Sequence, residues 1–245
     1  MSSRQKAYND DLAWIHDTGF GQFATNAAVE LLSGLRRAGL RSGTIVDLGC
    51  GSGILAEAMA RHGYAIVGFD QSAAMVALSQ RRVPAGDFRQ ASFLDAEIPP
   101  CVAVTAIGEV FNYLFDRRNT PARLRMLFRR IHQSLRLDGL FLFDVATPGR
   151  VPGGYRRSYV QGDDWACLFT AEEDVRHRNL TRTITSFRKA GELYRRDDEV
   201  HRLRLYAPDT LKSMLRGSGF RVRTIRRYAE LAFPPGYAGF VARRD

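Results

Sequence analysis

The segment from Gln22 to Arg37, "QFATNAAVELLSGLRR", repeats apolar residues at helical spacing and stops at Gly39, so it predicts a helix with a glycine at its end. Continuous apolar runs follow at intervals. "TIVDLG" and "AIVGFD" read as strands buried on both faces, and "ILAEAMARHG" between them reads as a helix ending at Gly63. A βαβ unit of this kind pairs its strands in parallel. The alternation continues through the helix "SAAMVALSQRR", the short strand "FRQASFL", the apolar strand "VAVTAIGEV", the amphipathic helix "ARLRMLFRRIHQSL" and a fifth strand, "GLFLFDVA". Strands alternating with helices predict an α/β fold whose open, largely parallel sheet is covered on both faces.

Beyond Ala146 the rhythm changes. Residues 165–206 lack helical periodicity and carry Thr-rich, alternating stretches: "LTRTITSFR", the turn "KAGE", then "LYRRDDEVHRLRLY". This predicts a β-hairpin inserted beside the main sheet. In "EVHRLRLY", His201, Leu203 and Leu205 share one face of the strand, and Val200, Arg202, Arg204 and Tyr206 share the other. The helix "APDTLKSMLRGSGF", with Asp209 as its expected cap, restores the α/β order. Two last strands, "RVRTIRRY" and "YAGFVARR", are close enough in sequence to pair antiparallel.

Composition refines this picture in three ways. The chain has 245 residues, 45% of them apolar, enough for one sizeable α/β domain with an inserted lid. No apolar run is long enough for a membrane span or a signal peptide, so a soluble, cytoplasmic protein is expected. Three widely spaced cysteines, Cys50, Cys101 and Cys167, form no CxxC pair, which argues against a disulfide framework and a zinc site. The net charge of +10 is uneven, with 16 Lys+Arg against 14 Asp+Glu in residues 1–146 and 20 against 12 in residues 147–245. A basic second half admits a nucleic-acid footprint or a solvated surface, and only three of the 36 basic residues are lysines.

The candidate chemistry sits where the first strand ends. "VDLGCGSG" places Gly49, Gly51 and Gly53 between a strand and a helix, a turn whose missing Cβ atoms let a ligand approach the backbone. The spacing is not that of a dinucleotide fingerprint, because Ile54 stands where GxGxxG has its third glycine, and no Gly-Lys-Ser/Thr follows as in a phosphate-binding loop. Asp47 precedes the loop and would repel a pyrophosphate while attracting the amine of an amino-acid-like ligand. Asp70, 17 residues after Gly53 at the end of the second strand, can accept hydrogen bonds from both hydroxyls of a ribose or cap the next helix. Together these residues describe a nucleoside with an amino-acid end.

"VDLGCGSG", the acid of "VGFD", "LRLDGLFLFD" and "YAPDTLKSMLRGSGF" resemble the class I S-adenosylmethionine-dependent methyltransferases of the small-molecule type, over roughly Gly43–Asp144 and Tyr206–Arg243. The resemblance implies a Rossmann-like three-layer α-β-α fold with a mostly parallel seven-stranded sheet, N-terminal helices and the inserted antiparallel β-hairpin lid. It implies one domain over 1–245: a helical cap (1–42), a cofactor-binding core (43–146), the β lid (147–206) and a closing helix with antiparallel strands (207–245). The implied cofactor is S-adenosyl-L-methionine, with S-adenosyl-L-homocysteine as product and no metal. Its implied contacts are Asp47, Gly49, Cys50, Gly51, Gly53, Asp70, Gln71 and Glu109. Ser92 stands where many members have an acid near the adenine amine, so Ser92 or the Phe93 backbone is expected there, with Asp95 as a further candidate.

The acceptor is less marked. Methyl transfer is an in-line displacement in which the protein aligns the acceptor and, where needed, removes a proton. Glu109 and Tyr113 follow the fourth strand, in "IGEVFNYL" rather than an (Asp/Asn)-Pro-Pro-(Tyr/Phe) turn, at the edge where open α/β sheets bind ligands. Upstream, "AYNDDLAWIHDTGF" resembles the family's N-terminal lid segment. Tyr8 is expected to close over the sulfonium, and His16 offers a group able to take a proton near neutral pH. His201 completes the catalytic candidates, with Glu109, Tyr113 and His16. The expected activity is methylation of an oxygen or nitrogen of a small acceptor. An RNA or protein methyltransferase docking through its basic half, and a non-catalytic cofactor-binding module, are alternative readings; the oligomeric state is open.

Overall fold

A computed structural model describes residues 8–245. Two helices come first, α1 (Asp10–Gly19) and α2 (Gln22–Arg37). The alternating run then gives β1 (Thr44–Leu48), α3 (Ile54–Ala60), β2 (Ala65–Asp70), α4 (Ala73–Arg82), β3 (Asp87–Gln90), β4 (Cys101–Ala106), α5 (Pro121–Ser134) and β5 (Leu135–Ala146). A second β segment contains β6 (Tyr155–Gly162), β7 (Trp165–Asp174), β8 (Asn179–Ala190) and β9 (Leu193–Arg204). The chain closes with α6 (Pro208–Arg216), β10 (Phe220–Ile225), β11 (Arg227–Tyr228), β12 (Leu231–Ala232) and β13 (Tyr237–Arg244).

The main sheet has seven strands in the order β10-β13-β5-β4-β1-β2-β3. Only β13 runs against its neighbours, β10 and β5. One apolar layer joins β1, β4 and β5 to α5 and α6 through Phe111, Phe128, Phe141 and Phe143. The other packs α2, α3 and α4 on the opposite face through Leu31, Ile45, Met59 and Val76. Ile45 and Val46, adjacent on β1, serve opposite layers, the period of two that a doubly covered strand requires. The strand order reverses at β1, which lies between β2 and β4. A crevice therefore opens beyond the carboxyl ends of these strands.

The inserted hairpin is larger than the sequence predicts. It is a four-stranded antiparallel sheet in the order β6-β7-β8-β9, of which the expected hairpin is the β8–β9 half. The missed strand β6 is an edge, exposed along almost its whole length, so it lacks the one-sided apolar alternation that marks a half-buried strand. Helix α1 packs Leu12 and Ile15 against Trp165, Cys167 and Ile184 of this sheet.

Two other expectations change. Asp209 does not cap α6: the N-cap is Ala207, without a side-chain bond, and Asp209 pairs with Lys212 one turn on. The strand expected to run through Tyr228 ends at Ile225, and Arg227–Tyr228 pair instead with Leu231–Ala232. Burial of Tyr228, whose hydroxyl donates to Asp144 at 2.9 Å, turns the chain inward there.

Candidate functional site

The glycine turn follows directly from β1. Gly49 has φ of +69° and a Cβ there would stand 2.6 Å from Val110, so this glycine serves close packing. Gly51, at φ of +54°, has nothing within 4 Å of a hypothetical Cβ and lines an open cavity. A side chain at Gly51 would occupy ligand space. Asp70 ends β2 and binds the turn from the other side: Gly51 N donates to Oδ2 at 3.0 Å and Ser72 N to Oδ1 at 2.9 Å. Burial raises its pKa, against the pull of these N–H donors. The cap of α4 is Ser72, whose Oγ accepts from Met75 N.

The cavity measures about 490 Å³. Gly49, Gly51, Asp70, Gln71 and Phe93 line it on the side of the glycine turn, whereas Asp47, Cys50, Gly53 and Ser92 do not line it. Cys50 is buried in the α3 layer and Gly53 sits against Ser79. Asp47 lies behind the turn, 3% exposed, and accepts from Thr105 Oγ1 at 2.7 Å. Burial pushes its carboxyl up to about 7. Asp95, on the surface, is ion-paired with Arg118.

Across the cavity, the turn after β4 is fixed from below. Asp144 of β5 accepts Gly108 N at 3.0 Å, Glu109 N at 2.7 Å, Tyr228 Oη at 2.9 Å and Tyr237 Oη at 2.6 Å. Burial nevertheless lifts its carboxyl to about 6. These bonds hold Glu109 at φ of +64°, a left-handed conformation that a non-glycine residue keeps only when its surroundings impose it. The Glu109 carboxylate meets Arg182 of β8 at 2.6 Å and Arg150 at 3.1 Å. Burial pushes its pKa up, but the two guanidiniums outweigh that and bring it below the ordinary value. Both Glu109 oxygens are engaged.

The remaining candidates form one cluster. Tyr8 and Tyr113 hydroxyls lie 3.2 Å apart, and the Tyr8 ring is 5.1 Å from His201 and 5.3 Å from His16. Burial keeps both phenols above their ordinary pKa, hence protonated. Burial also lowers His16 to about 4, so its ring is neutral at pH 7. His201 is 1% exposed; its Nε2 lies 2.8 Å from Glu199, and its Nδ1 has no hydrogen-bond partner among the described residues. Glu199 also accepts Tyr8 N at 3.1 Å and Asn9 N at 2.7 Å. One carboxylate thus ties the N-terminal segment to the imidazole.

Sequence reasoning did not single out Glu199, Arg150, Arg182 or Asp144. Glu199 stands two residues before His201 and so shares its face, and Arg182 lies between Leu180 and Ile184 on the inward face of β8. Those are detectable signals. The Arg150–Glu109 contact has none, because it depends on how a loop returns across the sheet. Among the described residues, no group of His, Cys, Asp and Glu is placed to hold a metal ion, and no helix is long and apolar enough to cross a membrane.

Comparisons with known proteins agree with this geometry. The family model described as a methyltransferase domain matches residues 23–225. A protein of Geobacillus sp. (strain WCH70) named as a methyltransferase is 30% identical over 194 residues, covering 74% of this chain and 75% of that one. An S-adenosylmethionine-dependent methyltransferase from Clostridium acetobutylicum superposes with a TM-score of 0.81 at 16% identity, covering 95% of this chain and 97% of that one. An amino pentose methyltransferase from Micromonospora echinaspora, involved in calicheamicin biosynthesis and solved with S-adenosylmethionine bound, gives 0.76 at 17% identity, covering 98% and 99%.

Proposed function

The chain belongs to the class I S-adenosylmethionine-dependent methyltransferases, and from that premise we propose that it methylates an oxygen or nitrogen atom of a small acceptor held in the cavity. It is an enzyme with S-adenosylmethionine as its cofactor. The residues fit that group: Gly51 leaves open space where a Cβ would stand, and a carboxylate and the flat ring of Phe93 border the same space. Asp70 would take the ribose hydroxyls, Phe93 would border the adenine, and Asp47 would act on the amino-acid end through the turn it supports. When bound, the cofactor supplies an electrophilic methyl group on a sulfonium.

The chain's own residues then align the acceptor and receive its proton. Tyr8 and Tyr113, both protonated, offer hydroxyls to the acceptor atom, and Glu109 holds Arg150 and Arg182 in place. His201 is the base. The bond from Nε2 to Glu199 leaves Nδ1 as the acceptor nitrogen, and the carboxylate stabilises the charge that arrives with the proton. Glu199 is a positioning residue. The segment 147–206 acts as a lid on the core (43–146), with 8–42 as the described part of the cap and 207–245 completing the sheet. Three buried free thiols suit a cytoplasmic location.

The observation that carries this reading is that one cavity is bordered both by Gly51 and Asp70 and by His201. Methyl transfer from isotopically labelled cofactor, screened over fractionated metabolite pools, is expected to label a small molecule. Asp70→Ala should abolish cofactor binding, and His201→Gln should lower kcat by roughly 10²–10⁴-fold while binding persists. A protein that binds the cofactor yet labels no small molecule in any fraction would sink the proposal.

A further inference from the structure

The inner wall of the second sheet is unevenly charged. The cavity is bordered by two acids, Asp70 and Glu109, and by three arginines, Arg150, Arg156 and Arg182. Asp70 is on the cofactor side, bonded to Gly51 N and Ser72 N. Glu109 is shared by Arg150 and Arg182. One carboxylate against two guanidiniums leaves a positive balance even before Arg156 is counted. The Arg156 side chain makes no ion pair or hydrogen bond with any other described residue.

Arg156 and Ser158 are two residues apart on β6, so they point to the same face, and both border the cavity. Their cross-strand partners are Ala171 and Phe169, which offer no acid. A guanidinium with five donors beside a hydroxyl suits a planar oxyanion. The surfaces next to it are apolar: Phe20, Phe169, Leu180 and Ile184. A positive wall repels an ammonium and attracts an anion.

We propose that the acceptor carries a carboxylate on an apolar body, with Arg156 and Ser158 as the carboxylate subsite and the Phe20–Phe169–Ile184 surface holding the body. This rests on the cavity being the acceptor site. It assigns specificity to β6, the exposed strand, while proton transfer stays with His201 on β9.

The test reads affinity rather than turnover. Protein loaded with S-adenosylhomocysteine is titrated calorimetrically with three matched probes: 3-phenylpropionate, 3-phenylpropanamide and 3-phenylpropylammonium. The acid is expected to bind at least tenfold more tightly than the amide or the ammonium. Arg156→Ala should remove that preference, Arg156→Glu should reverse it towards the ammonium, and Ser158→Ala should weaken it by a few fold. S-adenosylhomocysteine affinity, unchanged in all three variants, shows that the fold and the cofactor side are intact. Equal affinities for acid and amide, no binding of any probe, or an acid preference that survives Arg156→Glu would each overturn the carboxylate subsite. Failure of the parent reading has a different sign: no labelled small molecule from protein that binds its cofactor.

Discussion

The two walls of the cavity are built from different kinds of sequence. The wall proposed for the cofactor draws on one short run from Gly49 to Gln71, completed by Phe93, and its main polar bonds join neighbours such as Gly51 and Asp70. The wall proposed for the acceptor is assembled from Tyr8, Glu109, Arg150, Arg182, Glu199 and His201, and its Tyr8–Glu199 bond spans 191 residues. A contiguous turn is positioned by the strand and helix on either side of it. A dispersed cluster needs both sheets and α1 in place before its charges meet. Loss of one member should therefore cost more on the acceptor side.

The largest effect is expected at Glu109. Replacement by alanine leaves two inward guanidiniums sharing no carboxylate, and removing one partner of a buried ionic cluster costs about 3 kcal/mol or more. Urea denaturation of Glu109→Ala should show that loss, whereas the exposed pair Arg61–Glu57 should be nearly silent when Glu57→Ala is made. A loss at Glu109 no greater than at Glu57 would show that the acceptor wall is not held by its ion pairs.

On the cofactor side the sharper signature is in pH. The Asp47 carboxyl rises to about 7 on folding, from its ordinary 3.8, because burial penalises the charge. Between those values the folded protein keeps a proton that the unfolded chain has released. Stability conferred by that proton is present at low pH and is lost as pH rises through the window. The slope from this group is at most about 1.4 kcal/mol per pH unit. Asp47→Asn removes the titration and keeps an acceptor for Thr105. In the free protein, its stability relative to the wild type should therefore improve steadily from pH 4 to pH 7. Parallel stability curves for the two proteins would mean that Asp47 is not buried as a titrating group.

The same contrast explains what the sequence made legible. The βαβ rhythm, the glycine turn and Asp70 are local, and each could be read from spacing alone. His201 and Tyr113 could be named because one lies on a strand face and the other at a strand end. Their partners could not be paired in advance: Glu199 bonds to backbone N–H groups of residues 8 and 9, and Arg182 reaches a carboxylate 73 residues away. Strand β6 was illegible for a different reason. An edge strand exposed along almost its whole length carries no burial pattern, although it supplies Arg156 and Ser158 to the cavity. Asp209 shows the converse error, since a residue of capping type is used in a surface pair once Ala207 and Pro208 set the start of α6.

The smallest effect is expected where the two walls touch. Ser72 caps α4 by accepting from Met75 N at 3.2 Å, and the same hydroxyl donates to the Tyr8 carbonyl at 2.8 Å. Ser72→Ala removes the cap, at a cost of about 1 kcal/mol, typical for an N-cap serine. It also releases the Tyr8 backbone from the cofactor side while Glu199 still holds Tyr8 N and Asn9 N from the acceptor side. The double variant Ser72→Ala/Glu199→Ala should therefore lose more cofactor affinity than the two single losses predict together, because only the pair releases the Tyr8 backbone from both walls. Additive losses would show that the two contacts act independently, and that the N-terminal segment does not couple the walls.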